Sequence, residues 1–232
     1  MSKEKITIVL LPGLNGTEGL FQPLIESAPE IFNVLCISYP TDEIKNYAEL
    51  TAMVLSRLML IQGKYILVGE SFSGPIALFV SYQKPQGLLG TILVVTFISA
   101  PNLKIGRFLP WTLGFSLAKP LYALRIALNR GKNSSLLKAT STELQKVMPK
   151  VLASRIQQVF SVNANVELKA CSVPLVYFRG TNDIVVPQWN LKKIVKLKPD
   201  IKVVLFETQH FLLQSKPLEA WDAIAAFANE VA

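Results

Sequence analysis

Six short apolar runs, rich in β-branched residues and bounded by turn signals, constrain this chain more than any other feature. They are Ile6 to Leu11, Val34 to Ser38, Tyr65 to Val68, Thr91 to Ile98, Leu175 to Phe178 and Lys202 to Phe206. Runs that stay apolar without alternating suit strands of a parallel sheet, which are covered on both faces. Between them the spacing predicts helices over Tyr47 to Ile61, Ser73 to Tyr82 and Leu218 to Val231. In the first of these Leu50, Val54, Leu58 and Ile61 share one face. Parallel neighbours require right-handed crossovers, so the pattern predicts an α/β chain with a doubly wound, mainly parallel sheet of about six strands. Function in such sheets gathers in the loops beyond the carboxyl ends of the strands.

One stretch breaks the alternation. Residues 101–166 hold no convincing strand, only amphipathic helical patterns, with Leu117, Leu121, Leu124 and Leu128 on one face and Leu137, Leu144 and Met148 on another. The expected organisation is a core of residues 1–100 and 167–232, interrupted by a helical insertion over 101–166. The longest greasy segment, Phe108 to Leu128, carries Pro110, Gly114, Lys119, Pro120 and Arg125. A membrane span of roughly 20 residues rarely tolerates two charges and this many breakers.

The insertion also carries the charge. Between Leu103 and Phe160 stand ten Lys or Arg and one acid, Glu143, an excess of +9. The formal charge of the whole chain is +8, so the remainder sits at −1. With half the residues hydrophobic and 17% charged, the composition is that of a globular chain and not a disordered one. The short run after Lys3-Glu4-Lys5 ends in Pro12-Gly13 without a small-residue cleavage site, so a secretory signal is not expected and the reading is cytoplasmic. Cys36 and Cys171 then read as buried free thiols.

The third strand runs into Gly69-Glu70-Ser71-Phe72-Ser73-Gly74, with a helix directly behind. A serine on a sharp strand-to-helix turn projects its hydroxyl above the sheet, and residues two before and two after must be small because strand and helix cross closely there. Gly69 and Ser73 meet that demand, and Gly74 relaxes it further. The helix N-terminus adds partial positive charge near a developing oxyanion. Neither phosphate-loop signature is present.

At this point the chain resembles the α/β-hydrolase superfamily along nearly its whole length, without that family's usual first strand pair. The resemblance implies a nucleophilic Ser71, an oxyanion loop in Leu11-Pro12-Gly13-Leu14-Asn15-Gly16-Thr17, and an oxyanion hole formed by the backbone N–H groups of Leu14 and Phe72. Many relatives have His-Gly where this chain has Pro12-Gly13. Two later loops match in order: Gly180-Thr181-Asn182-Asp183 after the fifth strand and Gln209-His210-Phe211 after the sixth. The order Ser, Asp, His is the one this fold uses. His210 is the only histidine in the chain. Asp183 competes with Glu207, Asp200 and Asp42 for the acid role, and its loop position favours it. Glu70 reads as a helix-dipole or cleft-wall residue.

The implied function is cleavage of a carboxylic ester or thioester through an acyl-enzyme on Ser71, with no cofactor. One histidine and two separated cysteines make no metal site. Acyl transfer or lyase chemistry with the same residues, and a non-catalytic ligand-binding pocket, stay open as alternatives. The insertion resembles the cap of many relatives, where Phe108, Trp111 and Phe115 would roof an acyl cleft. Its basic excess would attract an acidic acyl-carrier protein, a coenzyme A thioester or an anionic membrane surface. Nucleic acid is not expected, because no recognisable binding motif accompanies the charge.

Overall fold

The computed structural model describes residues 5–100 and 134–232. Six strands form one sheet: β1 (Ile6–Leu11), β2 (Phe32–Cys36), β3 (Tyr65–Glu70), β4 (Leu88–Val94), β5 (Leu175–Gly180) and β6 (Lys202–Phe206). Every neighbouring pair is parallel, in the order β2-β1-β3-β4-β5-β6. From β1 the chain steps outward to β2, then returns past β1 to β3 and continues to the other edge. The order therefore reverses between β1 and β3, where sheets of this kind open a crevice at their carboxyl ends.

Continuous burial explains why the central strands β1, β3, β4 and β5 read as unbroken apolar runs, while the edge strands β2 and β6 are partly exposed. Ile8, Leu10, Ile66 and Val68 point into one layer, with Phe21, Leu24, Trp221 and Ile224. Val9, Leu11 and Leu67 point into the other, with Leu50, Val54, Ile76 and Leu78. The first layer is roofed by α1 (Gln22–Glu26), α8 (Leu212–Ser215) and α9 (Pro217–Val231). The second is roofed by α2 (Tyr47–Leu58), α3 (Gly74–Tyr82), α6 (Asn165–Ala170) and α7 (Gln188–Leu197). A capping box starts α2: the Asn46 side chain accepts from the Glu49 N–H and the Glu49 carboxylate accepts from the Asn46 N–H.

β3 and β5 run two residues further than the sequence reading, and β2 and β4 are displaced from it. β2 begins and ends two residues early, with Phe32 stacked on Trp221 at 5.7 Å. β4 stops at Val94, although the apolar run continues to Ile98. Val95 turns to φ 42°, a left-handed value that a β-branched residue adopts only under constraint. Thr96, Phe97 and Ile98 are buried as a loop beneath the insertion, so burial and not strand pairing accounts for their hydrophobicity.

Within the insertion two helices are described, α4 (Ser134–Gln145) and α5 (Pro149–Val159). An antiparallel bridge between Ser99 and Asn163, with the Ala164 N–H donating to the Ile98 carbonyl at 2.7 Å, brings the segment's ends together. Of the face expected from Leu137, Leu144 and Met148, only Leu144 packs, against Val147, Val151 and Leu152. Leu137 and Met148 are exposed, while Thr140, Glu143, Val147, Val151, Leu152 and Arg155 are buried. Among the described residues no helix is long and apolar enough to cross a membrane. Cys36 is half-buried, Cys171 is buried, and neither forms a disulfide.

Candidate active site

Ser71 follows β3 directly and has φ 49°, the strained left-handed backbone that a sharp strand-to-helix turn imposes. The crossing is as close as the small residues implied. A Cβ on Gly69 would fall 2.7 Å from Cβ of Ala77 and 2.8 Å from the Ser73 carbonyl oxygen. Gly74 does more than relax the turn: a Cβ there would lie 2.0 Å from Thr96 Oγ1. That threonine hydroxyl donates to the Ser71 carbonyl, tying the elbow to the end of β4. Ser73 is fully buried and donates to the Pro12 carbonyl while pairing with the Tyr39 hydroxyl at 2.6 Å. Pro12 thus contributes a main-chain acceptor to the elbow.

His210, in the loop after β6, is buried and places Nε2 3.0 Å from Ser71 Oγ. Its Nδ1 lies 3.0 Å from Asp183 Oδ2. The assignment that satisfies both contacts puts the ring proton on Nδ1, leaving Nε2 to accept from the serine hydroxyl. Asp183 is positioned by its own loop. The other carboxylate oxygen accepts from the N–H groups of Val185 at 2.8 Å and Val186 at 3.0 Å. Arg179, buried at the end of β5, donates to the carbonyls of Val186 and Asp183 and lies 3.8 Å from the carboxylate. The rival acids Glu207, Asp200 and Asp42 are all exposed.

The electrostatics follow from this enclosure. Burial alone would push the Asp183 pKa up, but the His210 charge and hydrogen bond, the Val186 N–H and Arg179 together hold it below the ordinary carboxylate value. Burial alone would push His210 down, but Asp183 and then Glu70 outweigh it, so the imidazole sits above its ordinary value. Glu70 is itself buried. Desolvation lifts it to about 7, with the Gln214 hydrogen bond and the His210 charge opposing. Gln214 Nε2 donates to Glu70 Oε1 at 3.0 Å, so Glu70 is a buried wall of the site and not a helix-end charge.

Leu14 lies in the loop after β1, and Phe72 directly follows Ser71. The Gly13 carbonyl accepts from the Gly16 N–H at 3.0 Å, closing a tight turn around Leu14. Phe72 is buried, stacked on Tyr47 at 4.8 Å, and its carbonyl accepts from the Tyr47 hydroxyl at 3.1 Å. Among the described residues, no backbone carbonyl accepts from the N–H of Leu14 or Phe72. Phe108, Trp111 and Phe115 lie outside the described residues. So do six of the ten basic residues, and of the four described, Arg155 is buried and cannot belong to a solvated docking face. No group of three metal-ligating side chains occurs among the described residues.

Sequence reading counted Arg155 only among the ten basic residues of the insertion, and did not single out Arg179, Gln214, Tyr39 or Thr96. Arg179 carried a signal: an arginine closing an otherwise apolar strand in a sheet covered on both faces has to be buried and partnered.

No protein-family model and no curated sequence matches the chain. Solved structures do match. A hydrolase from Pseudomonas aeruginosa PA01 superposes with a TM-score of 0.82 at 16% identity, covering 98% of this chain and 91% of that one. A thermophilic esterase from Thermogutta terrifontis gives 0.81 at 16% identity, covering 97% and 90%. The enol-lactonase from Burkholderia xenovorans LB400 gives 0.77 at 14% identity, covering 99% and 92%. The chain has the α/β-hydrolase fold. Within that fold the described residues form six parallel strands, and Ser71, His210 and Asp183 are joined by hydrogen bonds beyond the carboxyl ends of β3, β6 and β5.

Proposed function

We propose that the protein is a serine hydrolase that cleaves carboxylic esters through an acyl-enzyme on Ser71. The observation that carries this is the unbroken relay from Ser71 Oγ to His210 Nε2 and from His210 Nδ1 to Asp183, each step 3.0 Å, on a strained strand-to-helix turn.

Ser71 Oγ attacks the acyl carbon as His210 Nε2 takes its proton. Asp183 holds the ring in the needed tautomer and faces the imidazolium that forms. The N–H groups of Leu14 and Phe72 receive the tetrahedral oxyanion, each worth roughly 10²–10³ in rate by analogy with other such sites. His210 then returns the proton to the departing alkoxide. Water, deprotonated by the same nitrogen, attacks the acyl-enzyme and releases the acid and free Ser71. An imidazole held above its ordinary pKa is the stronger base for both proton transfers.

Thioesters of acidic carriers form a narrower substrate class, favoured by the basic excess between residues 103 and 160 even without the buried Arg155. Hydrolysis of p-nitrophenyl esters and acyl thioesters, with product analysis in the presence of an added alcohol, tests the reading. Release of free acid supports hydrolysis. Exclusive appearance of the new ester points to acyl transfer, and absence of turnover across the panel contradicts the proposal. Thioester turnover that ignores salt removes the carrier class.

A further inference from the structure

The oxyanion loop, residues 12–17, has no strand or helix of its own, yet its backbone must hold one N–H to within a fraction of an ångström. The core holds it through the Ser73 hydroxyl on the Pro12 carbonyl and the Tyr39 N–H on the Gly16 carbonyl, and the insertion adds further contacts. Arg155, on α5, is 2% exposed and has no carboxylate within 4.0 Å among the described residues. Its guanidinium instead donates to three main-chain carbonyls. Nη1 reaches Leu14 at 3.0 Å and Asn15 at 2.8 Å, and Nη2 reaches Pro40 at 2.8 Å. The group lies over the Tyr39 ring, 5.7 Å from its centroid. A Cβ on Gly16, which has φ 73°, would fall 2.3 Å from Nη1, so only glycine admits the guanidinium here.

A buried cation without a counter-charge is costly, and an apolar side chain of similar volume would fill this space without that cost. What the guanidinium supplies is geometric. Both peptide planes that flank Leu14 are pinned: the one before it through the Gly13 carbonyl and the Gly16 N–H, the one after it through the Leu14 carbonyl and Arg155. Because each peptide is planar and trans, fixing the Gly13 carbonyl fixes the Leu14 N–H on the opposite side. Glu143 of α4 holds the far end of the loop, accepting from Thr17 Oγ1 at 2.6 Å.

We infer that Arg155 is a positioning residue for the oxyanion hole, through which the helices of the insertion build part of the catalytic centre. The inference rests on the hydrolase reading of Ser71. It predicts a transition-state defect when Arg155 is lost, since acylation and deacylation each pass through an oxyanion held in the same hole.

The test uses the full chain carrying Arg155→Met, Arg155→Lys or, as a stability control on the opposite layer, Ile224→Ala. In Arg155→Met, kcat for p-nitrophenyl butyrate should fall on the order of 10²-fold with KM within about threefold, the pattern of a misplaced donor. Affinity for a trifluoromethyl ketone, which forms an oxyanion on Ser71, should weaken in parallel. The acid limb of the pH profile should stay in place, because His210 and Asp183 are untouched. Arg155→Lys keeps the charge without the planar fork and should recover only part of the loss. If Arg155→Met does not fold, Arg155→Lys decides alone. Variants with wild-type kcat, or a loss that Ile224→Ala reproduces at matched Tm, overturn the inference while leaving the hydrolase reading intact. A wild-type protein that neither turns over esters nor is labelled at Ser71 overturns both.

Discussion

Replacing Glu70 by Gln should change the pH dependence of stability by an amount the structure fixes. Glu70 closes β3, is 6% exposed, and is lifted from 4.5 to about 7 by desolvation, against the Gln214 hydrogen bond and the His210 charge. Between those two values the unfolded chain has released the proton and the folded chain still holds it. The folded state therefore binds more protons, and stability falls as pH rises through the window, by at most about 1.4 kcal/mol per pH unit. Integrated from pH 5 to pH 8, this one group costs the wild-type protein on the order of 2–3 kcal/mol. Glu70→Gln binds no such proton. Its amide oxygen can still accept from Gln214 Nε2, and its NH₂ can meet Gln214 Oε1, which is buried without a partner. Urea unfolding of both proteins at pH 5 and pH 8 isolates the effect of Glu70 together with the share of the His210 shift that it causes, because groups not coupled to Glu70 cancel in the difference. Relative to wild type, the variant should gain about 2–3 kcal/mol on going from pH 5 to pH 8. It should also move the acid limb of kcat/KM downward, since Glu70 helps to raise His210. An equal pH dependence in both proteins would refute the reasoning and mean that Glu70 ionises as an ordinary carboxyl.

Three further substitutions separate chemistry from packing. Asp183→Asn should cost roughly 10⁴ in kcat by analogy with other such relays, because the ring loses its tautomer. It should also flatten the stability curve below about pH 4, where a carboxyl held low in the folded state otherwise loses its contribution as pH falls. Retained kcat would remove Asp183 from the relay. Gly74→Ala should destabilise by about 1–3 kcal/mol through overpacking against Thr96 and slow labelling of Ser71; an unchanged Tm and labelling rate would contradict the contact. Trp221→Ala, which removes a 2% exposed ring and the Nε1 donor to the Leu24 carbonyl at 2.8 Å, should cost roughly 3–5 kcal/mol in urea unfolding. A loss below about 1 kcal/mol would show that α9 is not anchored there.

The parts of this protein legible in its sequence are those with a local cause. Parallel strands covered on both faces leave unbroken apolar runs, and five of the six lie within two residues of the expected start. The elbow around Ser71 is a contiguous turn with a steric rule, and the loops of Asp183 and His210 follow it in order. The misread parts have causes remote in the chain. Apolarity at Phe97 and Ile98 reports burial of a loop, which looks the same as a strand until Val95 is seen to turn. Leu137 and Met148 looked like a packed face, but the surface beneath α4 and α5 is a loop with polar main-chain groups, and it draws in Glu143 and Arg155 instead. Counting charge placed Arg155 among solvated residues. Its acceptors, Leu14, Asn15 and Pro40, stand more than a hundred positions away and are backbone carbonyls, which leave no trace in residue identity.

The central claim, that Ser71 is an activated nucleophile, is tested most directly with a fluorophosphonate probe. The folded protein and Ser71→Ala are treated side by side, and the modified peptide is read by mass spectrometry. A single adduct on Ser71, absent from the variant and forming more slowly below the His210 pKa, is the expected result. A folded wild-type protein that takes no label, or one labelled equally with and without Ser71, would contradict it.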